Sequence, residues 1–181
     1  MGVGEQMEII RIPSERLAVL FGKAGDTQKL LEGACKVLLS VDEDGAVQIE
    51  GEPVDEYFSK DVIRAIGRGF EPNIALLLLN EEYALRIVNL REMGNENWML
   101  RQKGRVIGEK GRTRKIIEEM SESHISVYGY TISVIANLGT IDIAMEAVSM
   151  LLQGHTHPAV YAYLEKQKRE MKKKRVLDFV G

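Results

Sequence analysis

Apolar and polar positions follow a period near two in some stretches and near 3.6 in others, and the chain runs through the same order of stretches twice. Residues 8–13 (EIIRIP) and 84–91 (ALRIVNLR) are rich in Ile and Val with partial alternation, and predict strands. A helical pattern follows each, at 14–21 and 95–107. In the first, Ser14 with Leu17, Leu20 and Phe21 predicts a capped first turn and an apolar stripe. Next come a glycine-bounded loop and a second helix, predicted at 26–34 and 112–121. Two strands follow in each half. In the first half they are 36–41 and 46–50, joined by the turn-forming Asp42-Glu43-Asp44-Gly45; in the second they are 124–128 and 131–136, joined at Gly129-Tyr130. Longer amphipathic helices close the halves, at 54–68 and 140–152, the second with Ile143, Ala147, Met150 and Leu151 at helical spacing. Residues 72–80 predict a short helix in the connection.

The repetition holds at the level of residues. Gly22-Lys23-Ala24-Gly25 recurs as Gly108-Glu109-Lys110-Gly111, an offset of 86. At that offset Leu20-Phe21 matches Val106-Ile107, Thr27 matches Thr113, Leu30 and Leu31 match Ile116 and Ile117, and Glu32 matches Glu118. Each unit reads β-α-GxxG-α-β-β-α. Domains are therefore expected at 1–80 and 81–154, with a basic helix at 155–181.

Composition narrows the class. Apolar residues are 45% and charged residues 28% of 181, the balance of a soluble globular protein. The longest apolar run, Ile74 to Leu79, is six residues, far short of the roughly 20 that a membrane-spanning helix needs. The N-terminus holds Glu5 and Glu8 and no apolar stretch of signal-peptide length, so a cytoplasmic protein is expected. One cysteine, Cys35, excludes an intrachain disulfide and a Cys-based zinc ribbon, and its apolar surroundings predict a buried hydrophobe.

The net charge of −3 argues against a polyanionic partner until the chain is divided. Residues 1–90 carry nine Lys and Arg against sixteen Asp and Glu; residues 91–181 carry fifteen against eleven. The densest patch is 101–115, where Arg101, Lys103, Arg105, Lys110, Arg112, Arg114 and Lys115 face one acid, Glu109. Such asymmetry points to polyanion binding by one half.

A loop of two glycines around two residues lets a ligand backbone approach without Cβ interference. The helix after it turns unpaired N–H groups and its positive dipole end toward the loop, a setting that suits phosphate. The order β-α-GxxG-α-β-β-α resembles the eukaryotic-type (type I) K-homology, or KH, domain, whose GxxG loop clamps about four nucleotides of single-stranded nucleic acid. Val106-Ile107-Gly108-Glu109-Lys110-Gly111 looks like the KH signature itself. The stretch Gly108-Glu109-Lys110-Gly111-Arg112-Thr113-Arg114-Lys115-Ile116-Ile117-Glu118 is similar to small-subunit ribosomal RNA processing proteins of the Dim-two, or partner-of-Nob-one, family. So are Ile125-Ser126-Val127-Tyr128-Gly129 and His157-Pro158-Ala159-Val160-Tyr161 with Leu164-Glu165, over about residues 7–175 in all. The resemblance implies an α+β fold of two tandem type I KH domains, each a three-stranded sheet packed against three helices. It also implies single-stranded RNA binding near the maturing 3′ end of small-subunit rRNA, with no enzymatic activity and no cofactor. The partners it implies are the PIN-domain endonuclease that trims that end and a translation-initiation-factor subunit.

On this reading the RNA-binding residues are Gly108, Glu109, Lys110, Gly111, Arg112, Arg114 and Lys115, with Gly22, Lys23, Ala24 and Gly25 in the first unit. The second unit is the better primary contact, because three cations follow its loop. In the first, Asp26 is placed to cap the next helix and compete with phosphate. Ile107 and Leu20 are expected in the core, as is Trp98. His155 and His157 form an H-x-H pair with no third ligand in sight, and His157 before Pro158 marks a helix start. Lys166 to Arg175 holds seven cations on a helix whose sparse apolar stripe is Val160, Leu164 and Met171. A P-loop sequence and a G-x-S-x-G elbow are both absent from the chain. The rival readings are an RNA-binding subunit of another machine, of exosome or transcription type, and, less well supported, a metal-dependent nuclease using the acids near Asp42.

Overall fold

The computed structural model of the chain describes residues 9–42 and 45–180. It divides into two compact units, the first ending at Leu85 and the second beginning at Arg86. The first contains β1 (Ile10–Arg11), α1 (Ser14–Phe21), α2 (Asp26–Cys35), β2 (Val37–Val41), β3 (Ala46–Gly51), α3 (Pro53–Gly67) and α4 (Pro72–Ala75), which continues as a 3-10 turn, Leu76–Leu79. The second contains most of β4 (Tyr83–Asn89), which crosses the boundary, and α5 (Glu96–Ile107), α6 (Arg112–Ser121), β5 (Ser123–Tyr128), β6 (Thr131–Asn137), α7 (Ile141–Leu152) and α8 (His157–Val180). Both units are mixed α+β with one three-stranded sheet, ordered β1-β3-β2 and β4-β6-β5. The hairpins pair Leu39 with Ile49 and Ile125 with Val134. Central strand β6 is buried from Thr131 to Ala136, and Val62, Ile63, Ile66, Ala147, Val148 and Leu151 supply the third helices' share of the two cores.

Several boundaries move for identifiable reasons. Strand β1 is two residues, not the six expected, because Pro13 has no N–H to give the ladder and becomes the N-cap of α1. Ser14 is the first helical residue, and α1 has no side-chain capping bond. Lys36 ends α2 in the left-handed conformation rather than opening β2, as Glu122 ends α6. At the first hairpin, Asp42 Oδ1 accepts from Ala46 N at 2.8 Å; Glu8, Glu43 and Asp44 lie outside the described residues. Cys35 is buried, and burial pushes its thiol pKa up, as suits a packed hydrophobe.

The repeat extends past the third helix. Pro72 and Pro158 stand 86 residues apart and sit in the first turns of α4 and α8; Leu78 and Leu164, at the same offset, are both buried. Helices α3 and α7 both stop at a left-handed glycine, Gly69 (φ 97°) and Gly154 (φ 95°). The paired bonds Gly69 N to Ile66 O with Phe70 N to Ala65 O recur as Gly154 N to Leu151 O with His155 N to Met150 O. An arginine from the first helix closes each stop. Arg16 donates to Ile66 O (2.8 Å) and Phe70 O (2.6 Å). Arg105 donates to Leu151 O (3.2 Å) and to His155 O. By offset, Arg16 corresponds to Gln102, so the second unit reaches the same carbonyls from one helical turn further along.

No helix among the described residues is long and apolar enough to cross a membrane.

Candidate nucleic-acid interface

The two GxxG loops share one backbone. Gly22 (φ 68°, ψ −171°) and Gly108 (φ 72°, ψ 175°) occupy a region essentially confined to glycine. A Cβ at either would collide with the hydroxyl of Thr27 or Thr113, which explains why these threonines recur with the loop. Ala24 and Lys110 are left-handed at φ 53° and 51°. Helices α2 and α6 start directly after the loops with glycine N-caps and no side-chain capping bond, so their first N–H groups have no capping side chain. The cap expected of Asp26 is therefore not formed; Asp26 is the first residue of α2 and puts an acid in its first turn, where α6 has none.

Around the second loop, Glu109, Lys110, Arg112 and Lys115 are exposed and line a hollow of about 480 Å³ with Ile116 and Glu119. On the loop's other side, Arg101, Arg105, Gly108, Arg112, His157 and Tyr161 border a groove of about 610 Å³. Tyr161 anchors this side, its hydroxyl 3.1 Å from Thr113 Oγ1. The hollow at the corresponding place in the first unit, about 390 Å³, is lined by Asp26, Thr27, Leu30, Pro72, Asn73 and Leu76 and contains no cation. Lys23 stands exposed on that loop.

Two cations of the 101–115 run are tied to backbone carbonyls. Lys103 Nζ donates to Gly129 O at 2.9 Å, and Arg105 is the carbonyl clamp described above. No sequence signal separates these two from their neighbours, because their partners are backbone carbonyls distant in sequence. Arg114 turns away from the loop toward the seam between α6 and β5. Its Nε lies 3.9 Å from Glu118 Oε2, while Glu118 Oε1 accepts from Ile125 N at 2.7 Å. The expectation for Leu20 holds, since it is fully buried; Ile107 is only half-buried beside the loop, Val106 taking the core position instead. Trp98 is half-buried and packs over Gly94.

The C-terminal helix packs on the second unit through Val160 and Leu164, both fully buried. His157 is bonded through Nε2 to Arg105 O at 3.0 Å. Among the described residues no group of three or more His, Cys, Asp or Glu is placed to hold a metal. Further along, Arg175 makes a two-pronged ion pair with Glu122, at 2.6 and 2.9 Å, which holds that carboxyl below its usual pKa range.

Residues 84–169 match the model for the second KH domain of PNO1 proteins, described as a eukaryotic-type (type I) KH domain. A KH domain-containing protein of Methanocaldococcus jannaschii is 39% identical over 181 residues, covering 97% of this chain and 80% of that one. Dim2p from Pyrococcus horikoshii has a solved structure that is 44% identical with a TM-score of 0.82, covering 88% of this chain and 98% of that one. The chain belongs to the Dim2/PNO1 family of KH-domain proteins. The same organism's Dim2p in a complex with a/eIF2alpha and rRNA is 43% identical with a TM-score of 0.83, covering 90% and 94%. The pre-rRNA-processing protein pno1 of Aspergillus fumigatus is 29% identical over 119 residues; the match takes in 64% of this chain and 47% of that longer protein. The family model begins in β4 and ends inside α8, so it counts the first half of α8 as part of the second KH domain.

Proposed function

We propose that this Dim2/PNO1-family chain is a non-catalytic single-stranded RNA-binding protein that assists maturation of the 3′ end of small-subunit rRNA. The observation that carries the reading is the second loop, an uncapped helix start whose first turn is basic, flanked by exposed Lys110, Arg112 and Lys115. The backbone N–H groups of Gly108 to Gly111 and these three cations hold phosphates, and half-buried Ile107 offers the bases an apolar edge. The first loop, Gly22-Lys23-Ala24-Gly25, makes a weaker contact. By analogy with the Pyrococcus complex, the partners are rRNA and the α subunit of a translation initiation factor; the family resemblance adds the PIN-domain endonuclease that trims the 3′ end. Crosslinking in cells followed by sequencing of bound RNA tests this. Enrichment at the 3′ region of small-subunit rRNA is the expected outcome; enrichment in mRNA or tRNA would overturn it. Purified protein incubated with labelled RNA and Mg²⁺ should leave the RNA intact.

A further inference from the structure

We propose that the first unit carries a docking site for an acidic, extended segment of a protein partner, at the outer edge of β1 beside the end of α3. This site is independent of the RNA-binding reading. The first unit has four arginines, and all four gather at this place. Arg16 holds the stop of α3 through Ile66 O and Phe70 O. Arg11, Arg64 and Arg68 line one hollow of about 220 Å³, with Gly67 and the rest of residues 9–13. They do so in a half of the chain that holds sixteen acids against nine cations.

Local structure does not ask for these charges. Arg64 and Arg68 stand four apart on α3, where like charges repel, although the helix dipole offsets part of the cost. Counted back from the glycine that stops each helix, Gly69 and Gly154, the matching residues of α7 are Ser149 and Gln153. Those two are neutral and bonded to each other, Gln153 Nε2 donating to Ser149 Oγ at 3.0 Å. The second unit thus builds the same helix end without charge. Arg64 has one ion pair, Nη1 to Asp61 Oδ1 at 2.8 Å, which engages one of a guanidinium's five donors, and its side chain stays 45% exposed. Arg11 is exposed and faces Ala46 on β3, which offers it no carboxylate. Among the described residues its side chain has no ion pair or hydrogen bond.

The strand edge completes the site. β1 is hydrogen-bonded to β3 alone, and in an antiparallel pair every second residue turns its N–H and C=O away from its partner. Burial alternates from Ile9 to Ile12, so Ile9, 54% exposed, shares the outward face of Arg11. Pro13, with no N–H, ends the edge. A short extended segment therefore finds backbone partners, an apolar contact at Ile9, and guanidinium groups that grip its carboxylates two-pronged. RNA is the less suitable occupant. The first GxxG loop leads into α2, which is tied to the opposite edge of the sheet, Gln28 Nε2 donating to Leu39 O of β2 at 2.9 Å, and β3 lies between the two edges.

The test uses the full chain and a short fluorescein-labelled peptide alternating glutamate and leucine, read by anisotropy in conditions where urea unfolding shows every variant folded. The wild type should bind the peptide. Arg11→Gln combined with Arg64→Gln should weaken binding by about tenfold or more, with RNA affinity unchanged. Lys29→Gln, elsewhere on the same unit, should leave peptide affinity as it is. A peptide alternating lysine and leucine should not bind; equal binding of the two peptides would make the contact merely apolar and overturn the proposal. So would a glutamate peptide that fails to bind, or that binds the double variant as tightly as the wild type. Displacement of the peptide by single-stranded RNA or by inorganic phosphate at equal concentration, or loss of RNA affinity in the double variant, would assign the arginines to phosphate and overturn it as well.

Discussion

At the first loop Ala24 stands at φ 53° and at the second Lys110 at φ 51°; Gly25 and Gly111 differ by 4°. Two units this alike in backbone differ in the chemistry they present. One places Asp26 in the first turn of the following helix, bridges its seam with Gln28 and lines its hollow with no cation. The other opens its helix with Arg112, leaves Arg114 without a hydrogen bond at Nε, and has Lys110 where the first loop has Ala24, while Lys115 repeats the exposed Lys29 of the first unit. The lesson is that GxxG specifies a backbone cradle, and the residues just after it set the charge that the cradle presents. A repeat can keep the cradle while its surroundings change.

The largest effect that would break this contrast is charge reversal in the loops. Glu109→Asp with Lys110→Asp replaces a cation by an anion while keeping a residue type that tolerates the left-handed conformation. RNA affinity should fall by roughly tenfold or more, about 1.4 kcal/mol or above. The parallel change, Lys23→Asp with Ala24→Asp, should reduce it by less than about threefold, a loss of under ~0.7 kcal/mol. Anisotropy titrations of both doubles against one oligonucleotide decide it; equal losses would abolish the ranking of the two units.

Next in size is a pair that separates fold from function. Gly22→Ala and Gly108→Ala each force a side chain into a glycine-only region and against a threonine. Each should destabilise its own unit by about 2 kcal/mol, measured by urea unfolding. Only Gly108→Ala should also weaken RNA binding in conditions where both variants remain folded. If Gly22→Ala weakened it equally, the first loop would be a full RNA contact.

How much of this was legible beforehand varies with the range of the interaction that matters. The elements followed from local periodicity, and α1 and α6 fell on their expected residues because a loop glycine adjoins each, Gly22 after α1 and Gly111 before α6. The loops were legible because glycine's conformational role is local. Arg105 and Arg114 were not separable from Arg112 in the sequence. All three are cations near one glycine loop. What distinguishes them is a helix end 46 to 50 residues away for Arg105 and an edge strand for Arg114. The fourth helix was missed as part of the repeat because α4 is one turn of helix and α8 is 24 residues long. Their shared proline and buried leucine show only once both are folded.

A smaller effect concerns salt. With two to four cations on phosphate, the slope of log K against log salt should be about −1.5 to −3 for single-stranded RNA. Arg105→Lys should leave that slope unchanged while lowering the thermal midpoint of the second unit, because Arg105 holds carbonyls rather than RNA. Arg16→Lys should do the same to the first unit. A shallower slope in Arg105→Lys would place its guanidinium on the RNA.

The smallest effect lies where the repeats exchange charge outright: left-handed Lys36 ends α2, and left-handed Glu122, 86 residues later, ends α6. Only the second can pin a basic helix, and it does so through Arg175, whose hydrogen bonds hold the Glu122 carboxyl below its usual range. A carboxyl whose folded pKa is depressed stabilises the fold above its unfolded value, about 4.3, and loses that contribution as pH falls through the folded value. The far half of α8 should therefore stay protected near pH 5 and lose amide protection below about pH 4, earlier at high salt because the pair is half-exposed. Glu122→Gln should remove this acid-dependent step without changing protection in the first unit, where Lys36 makes no such bridge. The carbon-13 shift of the Glu122 carboxyl gives an independent reading. A midpoint at the ordinary glutamate value would mean that the basic helix is not held by this pair in solution, and that its cations stand as free to meet RNA phosphate as those of the loop.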